Sequence, residues 1–251
     1  MDAVVEIRNV KIGEGLPKIC VPVTAKTKKE IWKEAEELKN HPFDMVEWRA
    51  DFFEGLADPE EVQEVLKELR KILGEAPLLF TVRTKAEGGN VRMDTEEYLQ
   101  VNMQAVGSGM IDLVDVEILQ GDDIAFMLVE AAHENNVKVV ASNHDFEKTP
   151  KKEEILMRLC KMQEMEADIV KIAVMPKTER DVLVLLDATL AMKELHRNTP
   201  VVTMAMGKKG LISRLVGQMF GSAITFGSVG AASAPGQIPV EALRTLLQVF
   251  S

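Results

Sequence analysis

The sequence predicts a (β/α)8 barrel, or TIM barrel, and three observations support this prediction. The chain has 251 residues, close to the roughly 250 residues that are typical of such barrels. Short apolar runs rich in β-branched residues recur along it, with amphipathic stretches between them. Helix-start signals follow the ends of these runs, as expected where each strand is followed by a helix. We therefore expect a single barrel domain over residues 1–251.

Eight apolar runs predict the eight strands. Most lack strict alternation over their first residues, which suits parallel strands that are covered outside by helices and packed inside by a core. A doubly wound open sheet is the competing architecture, but the GxGxxG turn expected after an early strand is absent. The runs are KICVPV (18–23), FDMVEWRAD (43–51), LLFTVRT (78–84), IDLVDVEI (111–118), KVVASNHD (138–145), DIVKIAV (168–174), PVVTMAM (200–206) and SAITFGS (222–228).

Helix boundaries are marked between the strands. Thr27 with Glu30 fits a capping box, Asp58 before Pro59 fits an N-cap, and Gly74 is placed to end that second helix. Residues 3–12 predict an additional N-terminal hairpin that closes the barrel floor. The remaining helices are expected at 94–107, 121–136, 151–166, 178–195, 211–219 and 238–250.

Composition narrows the function classes. Hydrophobic residues at 46% and charged residues at 28% indicate an ordinary folded protein. The net charge of -10 argues against nucleic-acid or membrane partners. Cys20 and Cys160 lie far apart and outside CxxC spacing, as expected of reduced thiols. Without a visible export signal or a long apolar run, a cytoplasmic location is expected.

Polar residues cluster at the carboxyl ends of the predicted strands, which face a common mouth in a barrel. Taken singly, Arg49 beside Glu47 is more often a structural ion pair, and His144 and Glu87 fit a helix cap and a polar turn. Taken together, these polar residues from different strands are expected to meet at the mouth of the barrel. Three arginines among them predict a small acid as substrate, because the planar guanidinium group binds carboxylates through two hydrogen bonds. The residues are Glu47, Arg49, Asp51, Arg83, Glu87, Asp115, Glu117, His144, Asp145, Lys171, Arg214, Ser233 and Gln237.

The sequence does not favour a metal site. The four histidines are far apart, without HxH or HExxH spacing. Asp115 and Glu117 could share one strand face and bind a hard cation, but the nearby arginines argue against it. The glycine-rich stretch SVGAASAPGQI (228–238) leaves a phosphorylated substrate open.

Lys171 is the most unusual of these residues because it stands inside the apolar run ADIVKIAVMP (167–176). The plain alternative is a lysine whose stem lies on apolar surface while its amine reaches water. On a buried strand near other cations, however, its pKa should fall. A neutral amine can attack a ketone and form an iminium ion. His144, expected one strand away, is then the candidate base, and Glu87 can orient it.

The chain resembles type I 3-dehydroquinate dehydratase along nearly its whole length. The motifs that carry the resemblance are, in order, GEGLPKICVP, EWRADFF, FTVRTKAEGG, DLVDVEI, ASNHDFEKTP, DIVKIAVMP, ISRLVGQMFGSAITFGS and ASAPGQI. The resemblance implies a (β/α)8 barrel, usually a homodimer. It also implies dehydration of 3-dehydroquinate to 3-dehydroshikimate in the shikimate pathway of aromatic amino acid biosynthesis, without metal or cofactor.

The resemblance assigns a role to each motif residue. Lys171 looks like the Schiff-base lysine, His144 like the general acid and base, and Glu87 like its carboxylate partner. The implied substrate contacts are Glu47, Arg49, Arg83, Arg214, Ser233 and Gln237. Pro22 stands where some members have a serine, and Gly230 with Ala231 where many have two lysines.

Two other functions remain to be weighed. A class I aldolase would use the same lysine chemistry on a small keto substrate such as a phosphosugar, although three arginines favour a carboxylate. A barrel that only binds a small acid, as a sensor or scaffold, has no need of Lys171 and His144 together.

Overall fold

Strands and helices alternate along the chain in this computed structural model, which describes residues 3–230 and 234–249. The strands are β1 (Val5–Ile7), β2 (Val10–Ile12), β3 (Lys18–Val23), β4 (Met45–Arg49), β5 (Leu78–Thr81), β6 (Leu113–Glu117), β7 (Lys138–Asp145), β8 (Ile169–Val174), β9 (Val201–Ala205), β10 (Ile224–Ser228) and β11 (Ile238–Pro239). The α-helices are α1 (Lys28–Leu38), α2 (Pro59–Leu73), α3 (Thr95–Val106), α4 (Asp122–Glu134), α5 (Lys152–Glu164), α6 (Glu179–Leu195), α7 (Gly207–Phe220) and α8 (Val240–Val249).

The eight strands β3 to β10 are parallel and curl into a barrel. They pair in chain order from β3 to β9, and β10 pairs with β3. The backbone N–H of Ala223 donates to the carbonyl of Val201 at 2.8 Å, which brings the start of β10 against β9. β11 adds a short parallel pair to β10. The predicted fold class is confirmed.

Capping residues place the helices close to where the sequence predicted them. The Glu30 carboxylate accepts a hydrogen bond from the backbone N–H of Thr27 at the start of α1. Asp58 accepts from the N–H of Glu60 at the start of α2, and Gly74 ends that helix with a φ of +56°. Such side-chain oxygens satisfy backbone donors that the first helical turn leaves unpaired.

Two helix starts differ from prediction by two residues or more. Helix α7 begins at Gly207, four residues before the expected start, because the φ of +70° at this glycine turns the chain directly out of β9. At the other end of the chain, the expected helix start at 238 is replaced by β11, whose Ile238 pairs with Gly227. Helix α8 therefore begins only at Val240.

Side chains alternate between the inside and the outside of the barrel, as pleated strands require. On β8, for example, Val170 and Ile172 belong to the apolar layer between strands and helices, whereas Ile169 and Ala173 point into the barrel. Lys171 lies between the last two and shares their face. The parallel strands therefore carry an apolar outer face and, toward their carboxyl ends, a polar inner face.

An apolar cluster fills the amino-terminal end of the barrel interior. Its members come from successive strands, and Ile7 and Ile12 of the antiparallel hairpin β1–β2 join it. The hairpin therefore closes the barrel floor, as predicted. The strand residues of the cluster nearest the hairpin are Cys20, Met45, Leu79, Leu113, Val140, Ile169, Val202 and Ile224, and its other members are Ala173, Met204, Met206, Ala223 and Phe226.

Within residues 3–230 and 234–249, none of the helices combines the length and apolar character that a membrane crossing needs.

Candidate active site

A cavity of about 280 Å³ opens at the carboxyl ends of the barrel strands. Eight of the nine catalytic and substrate-contacting residues expected from the sequence line it, and the ninth, Ser233, lies outside the described residues. Because parallel strands end at the same rim, side chains far apart in sequence converge there. The predicted residues that line the cavity are Glu47, Arg49, Arg83, Glu87, His144, Lys171, Arg214 and Gln237, with Phe52, Phe146, Met204, Met206 and Phe226 among the apolar ones.

A second cavity of about 270 Å³ lies beside the hairpin, near the other end of the barrel. Three glycines and two prolines line it, together with Lys193 and Arg197. Among the described residues that line it there is no histidine, aspartate or glutamate to act as a base. The candidate active site is therefore the cavity at the carboxyl ends of the strands.

Lys171 is buried at the bottom of the active-site cavity, with only 4% of its surface exposed. Its Nζ lies 3.0 Å from Oδ2 of Asp115 and 3.6 Å from Oε1 of Glu47. The ring of Phe226 lies 4.8 Å from the same nitrogen, within cation–π range. The amine therefore faces the barrel interior, and a lysine whose head reaches the outer surface is ruled out. The charged groups nearest the Lys171 amine are the carboxylates of Asp115 and Glu47, whereas the sequence predicts cations beside it.

Arg83 is held in a cluster of buried carboxylates. Its Nη2 lies 2.8 Å from Asp115 and its Nη1 2.9 Å from Glu117, while Glu87 is 3.8 Å away. Although burial opposes it, these three carboxylates raise the pKa of Arg83 above its usual value. Arg83 lines the cavity, but its guanidinium group already has partners inside the protein.

Asp115 and Glu117 hold this arginine rather than forming a cation site. Glu117 also accepts hydrogen bonds from the N–H and hydroxyl of Thr84. Burial would raise the pKa of Asp115, but the charges of Arg83 and Lys171 lower it below its usual range. In the part of the chain that the structure describes, no group of three or more histidine, cysteine, aspartate or glutamate side chains is placed to bind a metal.

The part-buried His144 and the buried Glu87 form an acid–base pair. Nδ1 of His144 lies 2.8 Å from Oε2 of Glu87, which also accepts from the His144 backbone N–H at 2.9 Å. Asn143 donates to the other Glu87 oxygen at 3.1 Å, and Arg158 in turn donates to Asn143. The hydrogen bonds fix the Glu87 carboxyl group against the imidazole ring.

The titration of this pair favours its uncharged form near neutral pH. Burial raises the pKa of Glu87 to about 8, against the opposing charge of Arg83. Burial lowers the pKa of His144 well below its usual value, and the charges of Arg83 and Lys171 lower it further. An unprotonated imidazole can accept a proton, which general-base catalysis requires.

The other two arginines differ in their partners. Arg49 forms a two-pronged ion pair with Asp51, at 2.8 and 2.9 Å, and lies over the ring of Phe52. Arg49 therefore does form a structural ion pair, but with Asp51 rather than with Glu47, and it also borders the cavity.

Arg214, on α7, is buried without a carboxylate partner among the described residues. Its Nη groups make only long contacts, 3.8 Å to Met204 Sδ and 3.4 Å to the Pro235 carbonyl, and its Nε is unpaired. Burial lowers the pKa of Arg214 to about 10, so it is still a cation at neutral pH. Since a buried unpaired charge is costly, this geometry fits a group that awaits an anion.

Several contributors to the site were not assigned their observed roles from the sequence. Thr81 donates to Glu47, and Ser142 donates to Asp115. Both face inward because they stand two residues before Arg83 and His144 on the same strands. Counting back by two from each predicted site residue would have found them.

The fold and the site together define a (β/α)8-barrel enzyme. The family model of type I 3-dehydroquinase matches residues 19–251, and the chain therefore belongs to this family of hydro-lyases. A curated 3-dehydroquinate dehydratase of Clostridioides difficile is 51% identical over 246 residues, which cover 98% of this chain and 96% of that protein. One from Listeria innocua is 52% identical, with 98% and 97% covered.

Solved structures agree with this assignment. The type I 3-dehydroquinate dehydratase of Clostridium difficile, determined with covalently modified comenic acid, superposes with a TM-score of 0.96 at 51% identity, covering 99% of this chain and 98% of that one. The 3-dehydroquinate dehydratase of Geobacillus kaustophilus gives 0.95 at 42% identity with the same coverage. Family membership favours the dehydratase over the aldolase and the binding protein.

Proposed function

We propose that the protein dehydrates 3-dehydroquinate to 3-dehydroshikimate through a Schiff base on Lys171, with His144 as general acid and base. The observation that carries this proposal is the buried amine of Lys171 at the bottom of the same cavity that His144 and Glu87 line. The amine supplies the nucleophile and the imidazole the base that this reaction class requires.

The first half of the reaction forms an imine. Nζ of Lys171 adds to the C3 ketone, the carbonyl oxygen leaves as water, and a C=N bond forms whose nitrogen carries one proton and a positive charge. This iminium ion withdraws electrons from C2, so that the C2 proton becomes acidic. His144 takes that proton, and the electron pair moves toward nitrogen to give a neutral enamine.

The second half expels water. The enamine nitrogen returns its electron pair, the C1 hydroxyl departs, and protonated His144 supplies the proton that makes the departing group water. Hydrolysis of the conjugated iminium ion then releases 3-dehydroshikimate and restores the Lys171 amine. No metal or organic cofactor takes part in this scheme.

Substrate binding is proposed for the residues around these groups. Arg214 supports recognition of the substrate carboxylate because its buried guanidinium is not neutralised by a described carboxylate. Glu47 and Gln237 line the cavity where hydroxyl groups would lie. Arg49 and Arg83 border the cavity and are proposed as further substrate contacts beside their internal ion pairs. Ser233 keeps its proposed contact although it lies outside the described residues.

A product assay tests this function. The purified protein is incubated with 3-dehydroquinate, and formation of the conjugated enone is followed by its ultraviolet absorbance and confirmed by mass spectrometry. We expect turnover by the parent protein and none by Lys171→Met, which keeps the length of the side chain but lacks the amine. If the folded parent protein forms no enone, the proposal is wrong. A homodimer and a cytoplasmic location stay predictions.

A further inference from the structure

Asp115 lies between two buried cations of the site, Arg83 and Lys171. Its Oδ2 is 2.8 Å from Nη2 of Arg83 and 3.0 Å from Nζ of Lys171. Its Oδ1 accepts a hydrogen bond of 2.6 Å from the hydroxyl of Ser142. Asp115 itself has no exposed surface. Both carboxylate oxygens are therefore occupied, and the group is fixed in one orientation by charge-assisted hydrogen bonds.

The Lys171 amine is confined on several sides. Asp115 contacts it most closely, Glu47 lies 3.6 Å away, and the Phe226 ring lies 4.8 Å away. A lysine side chain has several rotatable bonds and loses them only where packing or hydrogen bonding fixes it. Here the strongest of these constraints is the contact with Asp115, since it joins opposite charges away from water.

We propose that Asp115 is a positioning residue for the Schiff-base reaction: it aims Nζ of Lys171 into the cavity and stays beside the nitrogen charge of the imine. This inference rests on the proposed function. If the proton count starts from the ammonium form of Lys171, two of its three nitrogen protons leave with the ketone oxygen as water. The third proton stays on the nitrogen of the C=N bond. The nitrogen is singly positive before and after, so Asp115 can keep the same ionised form and the same contact.

Glu117 provides a matched comparison on the same strand. It is as buried as Asp115 and binds Arg83 at 2.9 Å, but none of its described contacts is with Lys171. Asp115→Asn and Glu117→Gln each remove one negative charge from the Arg83 cluster with little change in shape. Only the first removes a charge next to the amine. A role limited to supporting Arg83 therefore predicts similar effects of the two substitutions, whereas a role through Lys171 does not.

The experiment measures how fast the imine forms. Parent protein, Asp115→Asn and Glu117→Gln are mixed with 3-dehydroquinate, quenched with borohydride at increasing times, and analysed by intact mass. We expect adduct formation to slow by about 10- to 100-fold in Asp115→Asn, the range for losing a hydrogen bond to a charged group. We expect Glu117→Gln to stay within about 3-fold of the parent, since it leaves the Lys171 contact intact.

Binding is measured separately from the covalent step. The affinity of each variant for 3-dehydroquinate before covalent reaction, from rapid mixing, is expected to change by less than about 3-fold, because the proposed carboxylate contact at Arg214 is untouched. Equal slowing in both variants, or adduct formation in Asp115→Asn at the parent rate, would overturn the role of Asp115.

A second variant covers the case in which Asp115→Asn does not fold. Ser142→Ala keeps the Asp115 charge and removes the 2.6 Å hydrogen bond that orients it, together with the 3.0 Å hydrogen bond that Nη1 of Arg83 donates to the same hydroxyl. We expect imine formation to slow by about 3- to 10-fold, as for a single buried hydrogen bond, and an unchanged rate would contradict the inference. Failure of the proposed function looks different, because the parent protein itself would then form no adduct.

Discussion

Replacing Arg214 by an apolar residue should raise the stability of the fold and, at the same time, weaken substrate binding. The guanidinium is 3% exposed and has no carboxylate partner among the described residues. Burial lowers its pKa from 12.5 to about 10. At 1.36 kcal/mol per pKa unit, the folded protein carries about 3 kcal/mol of unfavourable charge burial. Arg214→Met removes this charge and keeps an apolar side chain in its place.

We expect the free energy of unfolding of Arg214→Met to rise by about 1 to 3 kcal/mol, since part of the gain is lost with the contacts of the longer side chain. The same change removes the cation proposed for the substrate carboxylate. Losing one partner of a buried charge pair costs about 2 to 5 kcal/mol, so kcat/KM should fall by roughly 30- to 5,000-fold. Urea unfolding and steady-state kinetics at the same pH measure the two quantities.

The opposite signs make this prediction specific. A destabilised Arg214→Met protein would show that the guanidinium is held by interactions that compensate its burial. A kcat/KM close to that of the parent would show that the substrate carboxylate binds elsewhere. Either result would refute the view of Arg214 as an anion-binding group kept at a cost to stability.

Three further predictions concern the neighbouring groups. Arg49→Met should destabilise the fold by about 3 kcal/mol or more, because it leaves the fully buried Asp51 carboxylate without its ion pair; an unfolding midpoint like that of the parent would contradict this. His144→Ala should still form the borohydride-trapped adduct while turnover falls by at least about 100-fold, and near-normal turnover would exclude His144 as the base. In the folded protein the pKa of Glu87 is raised from 4.5 to about 8, so between these pH values the folded state holds a proton that the unfolded chain has released. The stability that Glu87 contributes therefore falls as the pH rises from 4.5 to about 8. The lowered pKa of His144 has the opposite effect, because stability rises with pH while the unfolded histidine still holds a proton, but this effect ends at about pH 6.5. Between pH 6.5 and 8 the parent should therefore lose up to about 2 kcal/mol that Glu87→Gln does not lose, and parallel stability curves would count against the raised pKa.

The architecture could be predicted from the sequence because strand and helix patterns alternate so regularly. Each apolar run became a strand and each capped amphipathic stretch a helix. The start of α7 was missed because the turn depends on the backbone conformation of Gly207 and not on a capping side chain. The start of α8 was missed because Ile238 pairs with β10, a long-range contact without a local signal.

The membership of the site was more predictable than its internal pairing. Strand ends in a barrel share one rim, so Lys171, His144 and Arg83 were expected together. Which charged groups form ion pairs there depends on the distances between side chains on neighbouring strands. The sequence does not specify these distances. Arg83 was expected to contact the substrate, and the structure adds ion pairs with Asp115 and Glu117 that the sequence did not predict.

The surroundings of Lys171 show the same limit. The sequence suggested an amine among cations, because three arginines and a histidine were expected nearby. The structure places the carboxylates of Asp115 and Glu47 next to it. The positions of these acids on the inner face follow from strand alternation, but their distances to the amine do not.

The central claim is that Lys171 forms a covalent imine with the substrate. The most direct test is to incubate the protein with 3-dehydroquinate, reduce with borohydride, and locate the adduct by peptide mass mapping. Lys138→Met, which alters a lysine outside the cavity on β7, serves as the control. We predict one adduct, on Lys171, in the parent and the control, and none in Lys171→Met. An adduct that persists in Lys171→Met, or none in a catalytically active parent, would contradict the claim.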